Sequence, residues 1–257
     1  MIDKVIEQYK NHDNLDIRVE LHKRYSKNKL GFNNWIFSNY QNTDEVKILE
    51  LGCGTGELWK SNLDSIDKMK QLIITDFSND MVETTKLVIG NRDNVNYERM
   101  DIQNISFKNE TFDIVIANML LHHVNDIDKA ISEVNRVLKK GGIFYCATFG
   151  ENGVVDYLAS LFKDVVNQNL ENKTFTLQNG KAFLNKYFDT VEILIYDDEL
   201  QVTSIDDLVQ YIQSLKGISE IALLEEEIIR NRLEIEFNNG MLIIPKEYGM
   251  FIARKER

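Results

Sequence analysis

Proline and cysteine are scarce in this chain of 257 residues, and its 30 basic residues are outnumbered by 41 acidic ones. A single proline, Pro245, leaves no proline-rich linker, so we expect one large core, alone or with a modest accessory lobe. The two cysteines, Cys53 and Cys146, form no Cys-x-x-Cys pair, which predicts free thiols and a reducing compartment. The formal net charge of −11 opposes long contact with a phosphate backbone, and we expect no nucleic-acid partner.

Long apolar runs are also missing. None approaches the ~18 residues of a membrane-spanning helix, and the start, Met1-Ile2-Asp3-Lys4, is polar and acidic within a few residues. These features predict neither a signal peptide nor a spanning helix. The expectation is a cytoplasmic protein without a membrane partner.

The most informative stretch is a glycine-rich turn, Gly52-Cys53-Gly54-Thr55-Gly56, which follows a short apolar run ending at Glu50-Leu51. The run predicts a buried strand, and Glu57-Leu58-Trp59 predicts the start of a helix. Glycines let a ligand approach the backbone closely, and the N–H groups of such a turn favour a polar ligand group. Because a dinucleotide turn needs Gly-x-Gly-x-x-Gly and Glu57 stands at the last of those positions, a pyrophosphate is disfavoured.

From residue 46 the chain alternates predicted strands and helices, which is typical of a parallel sheet covered on both faces. The strands are predicted at 46–51, 71–76, 94–100, 111–118 and 142–149, and the helices between them at 57–69, 79–89 and 127–138, the last of them capped by Asn125-Asp126. Asp76 ends the second strand beside the glycine turn, where a carboxylate can accept both hydroxyls of a ribose. The alternative role of Asp76, a cap for the next helix, is weaker because Ser78 can fill it.

The fourth strand ends at Asn118, at the crevice where open α/β sheets bind ligands. His122 and His123 follow, and neighbouring residues on a helix point about 100° apart, so we predict no shared metal ion. His123 is a candidate general base because imidazole titrates near neutral pH. The alternative is that both histidines only support the fold.

These residues together resemble class I S-adenosylmethionine-dependent methyltransferases of the small-molecule type. The resemblance lies in Glu50-Leu51-Gly52-Cys53-Gly54-Thr55-Gly56, in Phe112-Asp113-Ile114-Val115 followed by Leu121-His122-His123-Val124, and in Lys139-Lys140-Gly141-Gly142. It covers about residues 46–149. The chain lacks the Asn/Asp-Pro-Pro-aromatic motif of the enzymes that methylate amino groups of nucleic acids.

The resemblance implies a Rossmann-like, doubly wound seven-stranded sheet that is mostly parallel, with an antiparallel last strand. Predicted strands at 191–196 and 248–254 complete it. We expect a single methyltransferase domain, 1–257, with an N-terminal helical lid at 1–45, the core at 46–196 and 248–257, and a helical insertion at 197–247 over the acceptor site. Helical spacing of apolar residues predicts two lid helices, one with Val5, Ile6 and Tyr9 and one with Ile17, Leu21 and Tyr25. Further helices are predicted at 156–167, 178–186, 204–215 and 219–237.

The resemblance also implies the roles of the site residues. Those of the cofactor site are Glu50, Gly52, Gly54 and Gly56 for the methionine end, Asp76 for the ribose with Phe77 beside it, Asp101 and Ile102 for the adenine, Asn118 for the amino group, and Tyr25 from the lid. His123 is the candidate catalytic residue, and no metal is expected.

The implied activity is methyl transfer from S-adenosylmethionine, with S-adenosylhomocysteine as product, to an O, N or S atom of a small molecule. We expect a monomer or a homodimer. Two alternatives stay open at this point: a non-catalytic protein that binds S-adenosylmethionine or S-adenosylhomocysteine, and a nicotinamide-dependent oxidoreductase.

Overall fold

The computed structural model describes residues 12–41, 43–166 and 173–256. The chain forms two compact units. The helical unit takes the described residues of Met1–Gly31, Gly150–Lys173 and Asp197–Tyr248, and the sheet unit takes those of Phe32–Phe149, Thr174–Tyr196 and Gly249–Arg257.

The described residues contain nine strands. They are β1 (Lys47–Leu51), β2 (Gln71–Asp76), β3 (Val95–Arg99), β4 (Phe112–Ile116), β5 (Leu138–Phe149), β6 (Thr190–Tyr196), β7 (Glu199–Val202), β8 (Leu242–Pro245) and β9 (Tyr248–Arg254). Seven form one sheet in the order β3-β2-β1-β4-β5-β9-β6, while β7 and β8 pair with each other.

The helices of the described ranges are mostly short. They are α1 (His12–Tyr25), α2 (Phe32–Ser38), α3 (Glu57–Lys60), α4 (Leu63–Ile66), α5 (Asn79–Ile89), α6 (Ile127–Val137), α7 (Val154–Ser160), α8 (Gly180–Leu184), α9 (Ile205–Gln213) and α10 (Glu226–Glu236), with 3-10 turns at Leu121–His123 and Glu220–Leu223. None of the helices in these ranges is both long and apolar enough to cross a lipid bilayer.

The central strands are buried on both faces, which is why they read as continuous apolar runs. Successive side chains of a strand point to opposite faces. Leu49 and Leu51 of β1 accordingly pack in one apolar cluster, and Ile48 packs in the cluster on the other face. Parallel pairing of β1 with β2 and with β4 confirms the predicted arrangement around the glycine turn.

The last strand of the sheet, β9, is antiparallel, as predicted. The Lys255 N–H donates to the Gly142 carbonyl at 3.1 Å, and the Gly141 N–H donates to the Lys255 carbonyl at 2.6 Å. On the other side, the Asp189 N–H donates to the Arg254 carbonyl at 3.0 Å. The mostly parallel, seven-stranded Rossmann-like fold is therefore confirmed.

Two predicted helices are interrupted. The helix expected at 57–69 divides into α3 and α4, because Asn62 leaves the helical conformation and its amide donates to the Leu58 carbonyl at 2.7 Å. The helix expected at 219–237 is shorter: a 3-10 turn covers Glu220–Leu223, and α10 begins only at Glu226.

The segment 197–247 is not wholly helical, contrary to the prediction. It contains β7 and β8, which pair antiparallel with Leu200 opposite Ile244 and Val202 opposite Leu242. These four side chains are buried, whereas Ile243 between them is half exposed. The alternation of buried and exposed side chains does not reveal these strands in the sequence, because each strand has only four residues.

The remaining predicted helices differ from the structure mainly in their ends. The helix around Ile17, Leu21 and Tyr25 is α1, while the segment of Val5, Ile6 and Tyr9 lies outside the described residues. The helix expected at 156–167 is α7, which ends at Ser160, and residue 167 is also outside the described ranges. The helix expected at 178–186 is α8.

Candidate functional site

The glycine turn between β1 and α3 is built for a close approach. All three glycines have positive φ, at 77° for Gly52, 54° for Gly54 and 78° for Gly56. A Cβ on Gly56 would meet the Thr85 side chain at 3.0 Å, so that glycine lets the turn pack against α5. A Cβ on Gly54 would meet nothing within 4 Å. The space beside Gly54 is therefore open to a ligand.

Two threonines, Thr75 of β2 and Thr85 of α5, hold this turn in place through hydrogen bonds. The Thr75 carbonyl of β2 accepts the N–H groups of Gly52 and Cys53, each at 2.9 Å. The Thr75 hydroxyl donates to the Glu50 carbonyl at 2.7 Å, and the Thr85 hydroxyl donates to the Gly54 carbonyl at 2.8 Å. Sequence reasoning missed both threonines, because their bonds depend on the packing of β2 and α5 against the turn.

Glu50 lies in the core beside the turn and is only 4% exposed. The Trp59 indole N–H of α3 donates to its Oε2 at 2.7 Å. Burial raises the pKa of Glu50 to about 7, and the neighbouring Asp76 carboxylate adds to the rise, while the bond from Trp59 opposes it. The pKa of this carboxyl group therefore lies near neutral pH. Trp59 is a second residue that sequence reasoning did not assign.

Asp76, at the end of β2, is tied to the turn through its carboxylate. The Gly54 N–H donates to one oxygen at 3.0 Å, and the Ser78 N–H donates to the other at 2.8 Å. Burial raises the pKa of Asp76 against the pull of these backbone donors. Ser78 is the N-cap residue of α5, as the sequence predicts, but its hydroxyl makes no capping bond.

Phe77 is 37% exposed next to Asp76. The Arg99 guanidinium lies 5.1 Å from the centre of its ring, and the Arg99 Nε donates to the Phe77 carbonyl at 2.9 Å. A partly exposed ring beside Asp76 offers an apolar surface to a flat ligand.

Asp101 and Ile102 follow the end of β3. One carboxylate oxygen of Asp101 accepts the Gln103 N–H at 2.9 Å and the Gln103 side-chain amide at 3.2 Å, which makes a local turn. Ile102 is buried in the same apolar cluster as Leu121 and Val124. Both the turn and the packing are present, and the proposed contacts with an adenine stay predictions.

Asn118 follows β4 at the same edge of the sheet. Its amide donates to the Tyr40 hydroxyl at 2.6 Å, and its side-chain carbonyl accepts the Ala147 N–H at 3.2 Å. Burial raises the pKa of Tyr40 well above its ordinary range, so this phenol stays protonated. The side chain of Asn118 thus links the end of β4 to β5 and to Tyr40, which follows α2, and the predicted ligand contact is left to the Asn118 backbone carbonyl.

His122 and His123 lie on a 3-10 turn and not on an α-helix as expected. Their ring centres are 4.0 Å apart, and the His122 ring is also 4.5 Å from that of Phe149. Burial lowers the pKa of His123 and, more strongly, that of His122, so both rings are neutral at pH 7. His122 Nδ1 is buried and has no hydrogen-bond partner in the part of the chain that the structure describes.

Tyr25 belongs to the helical unit. Its hydroxyl donates to Asp207 Oδ2 at 2.6 Å, and Arg24 binds the same oxygen at 2.7 Å. The role of Tyr25 toward a cofactor therefore stays a prediction. Within the described ranges, no group of three or more His, Cys, Asp or Glu side chains could hold a metal ion.

The sheet unit brings the other predicted residues to one edge. Because β3, β2, β1 and β4 are parallel neighbours, their carboxyl ends carry Asp101, Asp76, the glycine turn and Asn118 side by side. Open space at Gly54, beside the buried Glu50 carboxyl group and the half-buried Asp76 carboxylate, suits a nucleoside with a cationic group and disfavours a pyrophosphate. The residues at this edge of the sheet thus fit S-adenosylmethionine, the cofactor that the sequence predicts.

Comparisons with known proteins agree with this geometry. The family model described as "Methyltransferase domain" matches residues 49–146. A malonyl-[acyl-carrier protein] O-methyltransferase of Ilyobacter polytropus is 26% identical over 224 residues, which are 85% of this chain and 82% of that protein. The enzyme of the same name from Bacillus anthracis is 28% identical over 147 residues, which are 57% of this chain and only 52% of that protein.

A ubiquinone/menaquinone biosynthesis C-methyltransferase of Haemophilus ducreyi is 29% identical over 119 residues, covering 45% of this chain and 46% of that protein. Among solved structures, a Bacillus halodurans protein described as a methyltransferase has a TM-score of 0.60 at 16% identity, covering 88% of this chain and 99% of that one. The structural likeness concerns the fold. The sequence relatives include enzymes that methylate oxygen and carbon.

Proposed function

We propose that the chain is a class I S-adenosylmethionine-dependent methyltransferase, which moves the methyl group of this cofactor to a small-molecule acceptor. The observation that supports the proposal best is the arrangement at the end of β1. There, Glu50 and Asp76 flank a turn whose Gly54 opens onto free space.

In this proposal the sheet unit binds the cofactor along the edge of β1, β2, β3 and β4. Glu50 with Gly52, Gly54 and Gly56 holds the methionine end, and Asp76 accepts the ribose hydroxyls. Phe77, Asp101 and Ile102 bind the adenine, and the backbone carbonyl of Asn118 accepts from the amino group. The roles of Tyr25 and of the segment 197–247, which belong to the helical unit, stay predictions.

The bound cofactor supplies a methyl group that its sulfonium has already activated. The protein therefore needs mainly to align the acceptor with that methyl group and to exclude water. A general base is useful only where the acceptor atom carries a proton. His123 is the proposed base for such an acceptor, because its lowered pKa leaves it neutral and able to take a proton at pH 7.

The acceptor atom is the finer part of the proposal. The sequence predicts an oxygen, nitrogen or sulfur atom as the methyl acceptor, and the relatives named as C-methyltransferases add carbon to these candidates. We place a carboxylate oxygen first, since the relative that matches 85% of the chain is named as an O-methyltransferase of a malonyl carrier protein. A carboxylate is already deprotonated at neutral pH, so its methylation requires no base.

Transfer of a labelled methyl group tests the proposal. The purified chain is incubated with methyl-labelled S-adenosylmethionine and a panel of carboxylic acids, free and as carrier thioesters, together with phenols, amines, thiols and quinols. Labelled product that depends on Asp76 supports the function, with Asp76→Ala as the inactive variant.

Two results would contradict the proposal and identify the alternative. Tight binding of S-adenosylhomocysteine without transfer to any acceptor would indicate a sensor of the cofactor. Saturable binding of reduced nicotinamide cofactor, seen by its fluorescence, would indicate an oxidoreductase.

A further inference from the structure

Met119 has a backbone conformation that residues with a side chain rarely adopt. Its φ is 51°, in the left-handed region that glycine tolerates and methionine does not favour. Three other non-glycine residues of the described ranges share this feature, Glu45, Glu110 and Asn239, but each of them precedes a strand. Met119 instead follows β4, at the edge that carries the cofactor residues. Strained backbone in such a place indicates a functional role.

The peptide bond between Asn118 and Met119 has a defined direction. The Met119 N–H donates to the Ala147 carbonyl of β5 at 2.8 Å. Because this peptide bond is trans, the Asn118 carbonyl points the opposite way from that N–H. In the sheet, β4 lies between β5 and β1. The Asn118 carbonyl is therefore directed to the side of β1, whose end carries the glycine turn.

This carbonyl is an unused acceptor. It accepts no hydrogen bond from the residues that the structure describes. The side chain of Asn118 is held by the fold at both of its polar atoms, since it donates to the Tyr40 hydroxyl and accepts from the Ala147 N–H. Backbone carbonyls that the fold half-buries usually have a partner, and Asn118 is half-buried. Its backbone carbonyl is thus the group that Asn118 offers to a ligand.

The left-handed turn at Met119 decides where the chain leaves the sheet. Leu120 follows, and a Cβ on Gly52 would meet the Leu120 Cδ1 at 3.0 Å. The next residues form the 3-10 turn Leu121–His123. An extended conformation at Met119 would carry the chain onward along the sheet, beside the glycine turn. The observed turn therefore makes the Asn118 peptide the last one that this part of the chain presents at the edge.

We propose that Met119 is a positioning residue for the methyl donor. Its left-handed backbone holds the Asn118 carbonyl toward the glycine turn, where this carbonyl accepts from the ammonium group at the methionine end of the donor. The inference rests on the proposed function, which assigns that contact to Asn118 and nothing to Met119. Because a bond from an ammonium group is charge-assisted, Met119 sets how strongly the site prefers a nucleoside that carries the amino-acid group.

Two substitutions of Met119 separate its backbone from its side chain. Glycine adopts positive φ freely, so Met119→Gly keeps the direction of the Asn118 carbonyl. Valine is branched at Cβ and resists positive φ, so Met119→Val turns this peptide bond away from its present direction. Both variants lack the methionine side chain. A difference between them therefore reports the backbone conformation.

Calorimetric titration with two ligands tests the role of Met119. S-adenosylhomocysteine carries the amino-acid group, and 5′-methylthioadenosine lacks it. Met119→Val should weaken the binding of S-adenosylhomocysteine about tenfold or more and that of 5′-methylthioadenosine less than about twofold, because only the first ligand loses a charge-assisted bond. Met119→Gly should bind both ligands as wild type does. Equal weakening of the two ligands in Met119→Val, or equal weakening of S-adenosylhomocysteine in both variants, would overturn the proposal.

Glu110→Val is the matched control. Glu110 has a φ of 52° and precedes β4, so the substitution imposes the same backbone conflict at the opposite end of that strand. Thermal unfolding should show that Glu110→Val and Met119→Val are destabilised to a similar degree. The ratio of the two ligand affinities should stay at its wild-type value in Glu110→Val. A changed ratio would mean that strain anywhere along β4 affects binding, and would overturn the specific role of Met119.

A measurement on the unsubstituted chain does not depend on the folding of any variant. Asn118-Met119 is the only Asn-Met pair in the sequence. A chain labelled with carbon-13 in the asparagine backbone carbonyls and with nitrogen-15 in methionine therefore gives one correlated NMR signal for this peptide bond. We expect S-adenosylhomocysteine to shift the carbonyl resonance more than 5′-methylthioadenosine does. Equal shifts with the two ligands would contradict a bond from the ammonium group.

Failure of this inference is distinguishable from failure of the proposed function. If wild type does not bind S-adenosylhomocysteine, the methyl-donor site is refuted, and the inference falls with it. If wild type binds S-adenosylhomocysteine and Met119→Val has the same ratio of ligand affinities, only the role of Met119 is refuted.

Discussion

Replacing Glu50 by glutamine is expected to stabilise the ligand-free protein while weakening cofactor binding. The substitution keeps a side-chain oxygen that accepts the Trp59 indole N–H, which Glu50 now accepts at 2.7 Å. What it removes is a carboxyl group that burial holds at a pKa of about 7, compared with an ordinary 4.5.

The size of the effect follows from this difference. Between pH 4.5 and about 7 the folded protein holds the Glu50 proton, while the unfolded chain loses it. The free energy of unfolding therefore falls as the pH rises through this window, by about 3 kcal/mol in all at ~1.4 kcal/mol for each pKa unit. Glu50→Gln should be about 3 kcal/mol more stable than wild type at ~pH 8 and nearly equal at ~pH 4.

Urea denaturation across this pH range measures the difference directly. Glu133→Gln is the control, because its hydrogen bond to Arg136 lowers the pKa of that carboxyl group. The stabilisation by Glu133 is fully present above the unfolded pKa and is lost only as the pH falls below it, so the difference between Glu133→Gln and wild type should stay constant between ~pH 5 and ~pH 8. A difference between Glu50→Gln and wild type that does not vary with pH would refute the reasoning.

Three further predictions concern the site. Asp76→Ala should weaken S-adenosylhomocysteine binding by ~1.5–3 kcal/mol in calorimetry through the loss of charge-assisted hydrogen bonds, and an unchanged affinity would remove Asp76 from the site. Gly54→Ala should abolish cofactor binding in a protein that stays folded by circular dichroism, because the added methyl group enters the open space beside the turn. Gly141→Ala is the control and should bind the cofactor normally, since Gly141 also has a positive φ, 77°, and equally free surroundings. Normal binding by both variants would place the ligand elsewhere. For an acceptor atom that carries a proton, such as a phenol, His123→Ala should lower turnover more than cofactor affinity, and equal turnover there would leave the ring with a packing role only.

The sheet could be predicted from the sequence because its signals are local. Apolar runs such as Leu72-Ile73-Ile74 are buried on both faces, and Asp126 caps α6 by accepting the Lys129 N–H at 2.9 Å, as expected. The residues at the ends of β1, β2 and β4 could be predicted for the same reason, since topology alone brings them to one edge.

What sequence reasoning missed depends on contacts across the fold. Thr75 and Thr85 matter because β2 and α5 pack against the glycine turn, and no spacing rule reveals this. The helix expected through Asn62 stops because that side chain bonds back to the Leu58 carbonyl. The strands β7 and β8 are too short for their alternation to stand out among the neighbouring helices.

The central claim is that the edge formed by Glu50, Gly54 and Asp76 binds an adenosyl cofactor. Calorimetric titration of the full chain with S-adenosylhomocysteine tests it most directly, alongside Asp76→Ala. We expect one molecule of S-adenosylhomocysteine to bind per chain in a saturable manner, and we expect Asp76→Ala to weaken this binding. An absence of binding heat, or identical affinity in the two proteins, would contradict it.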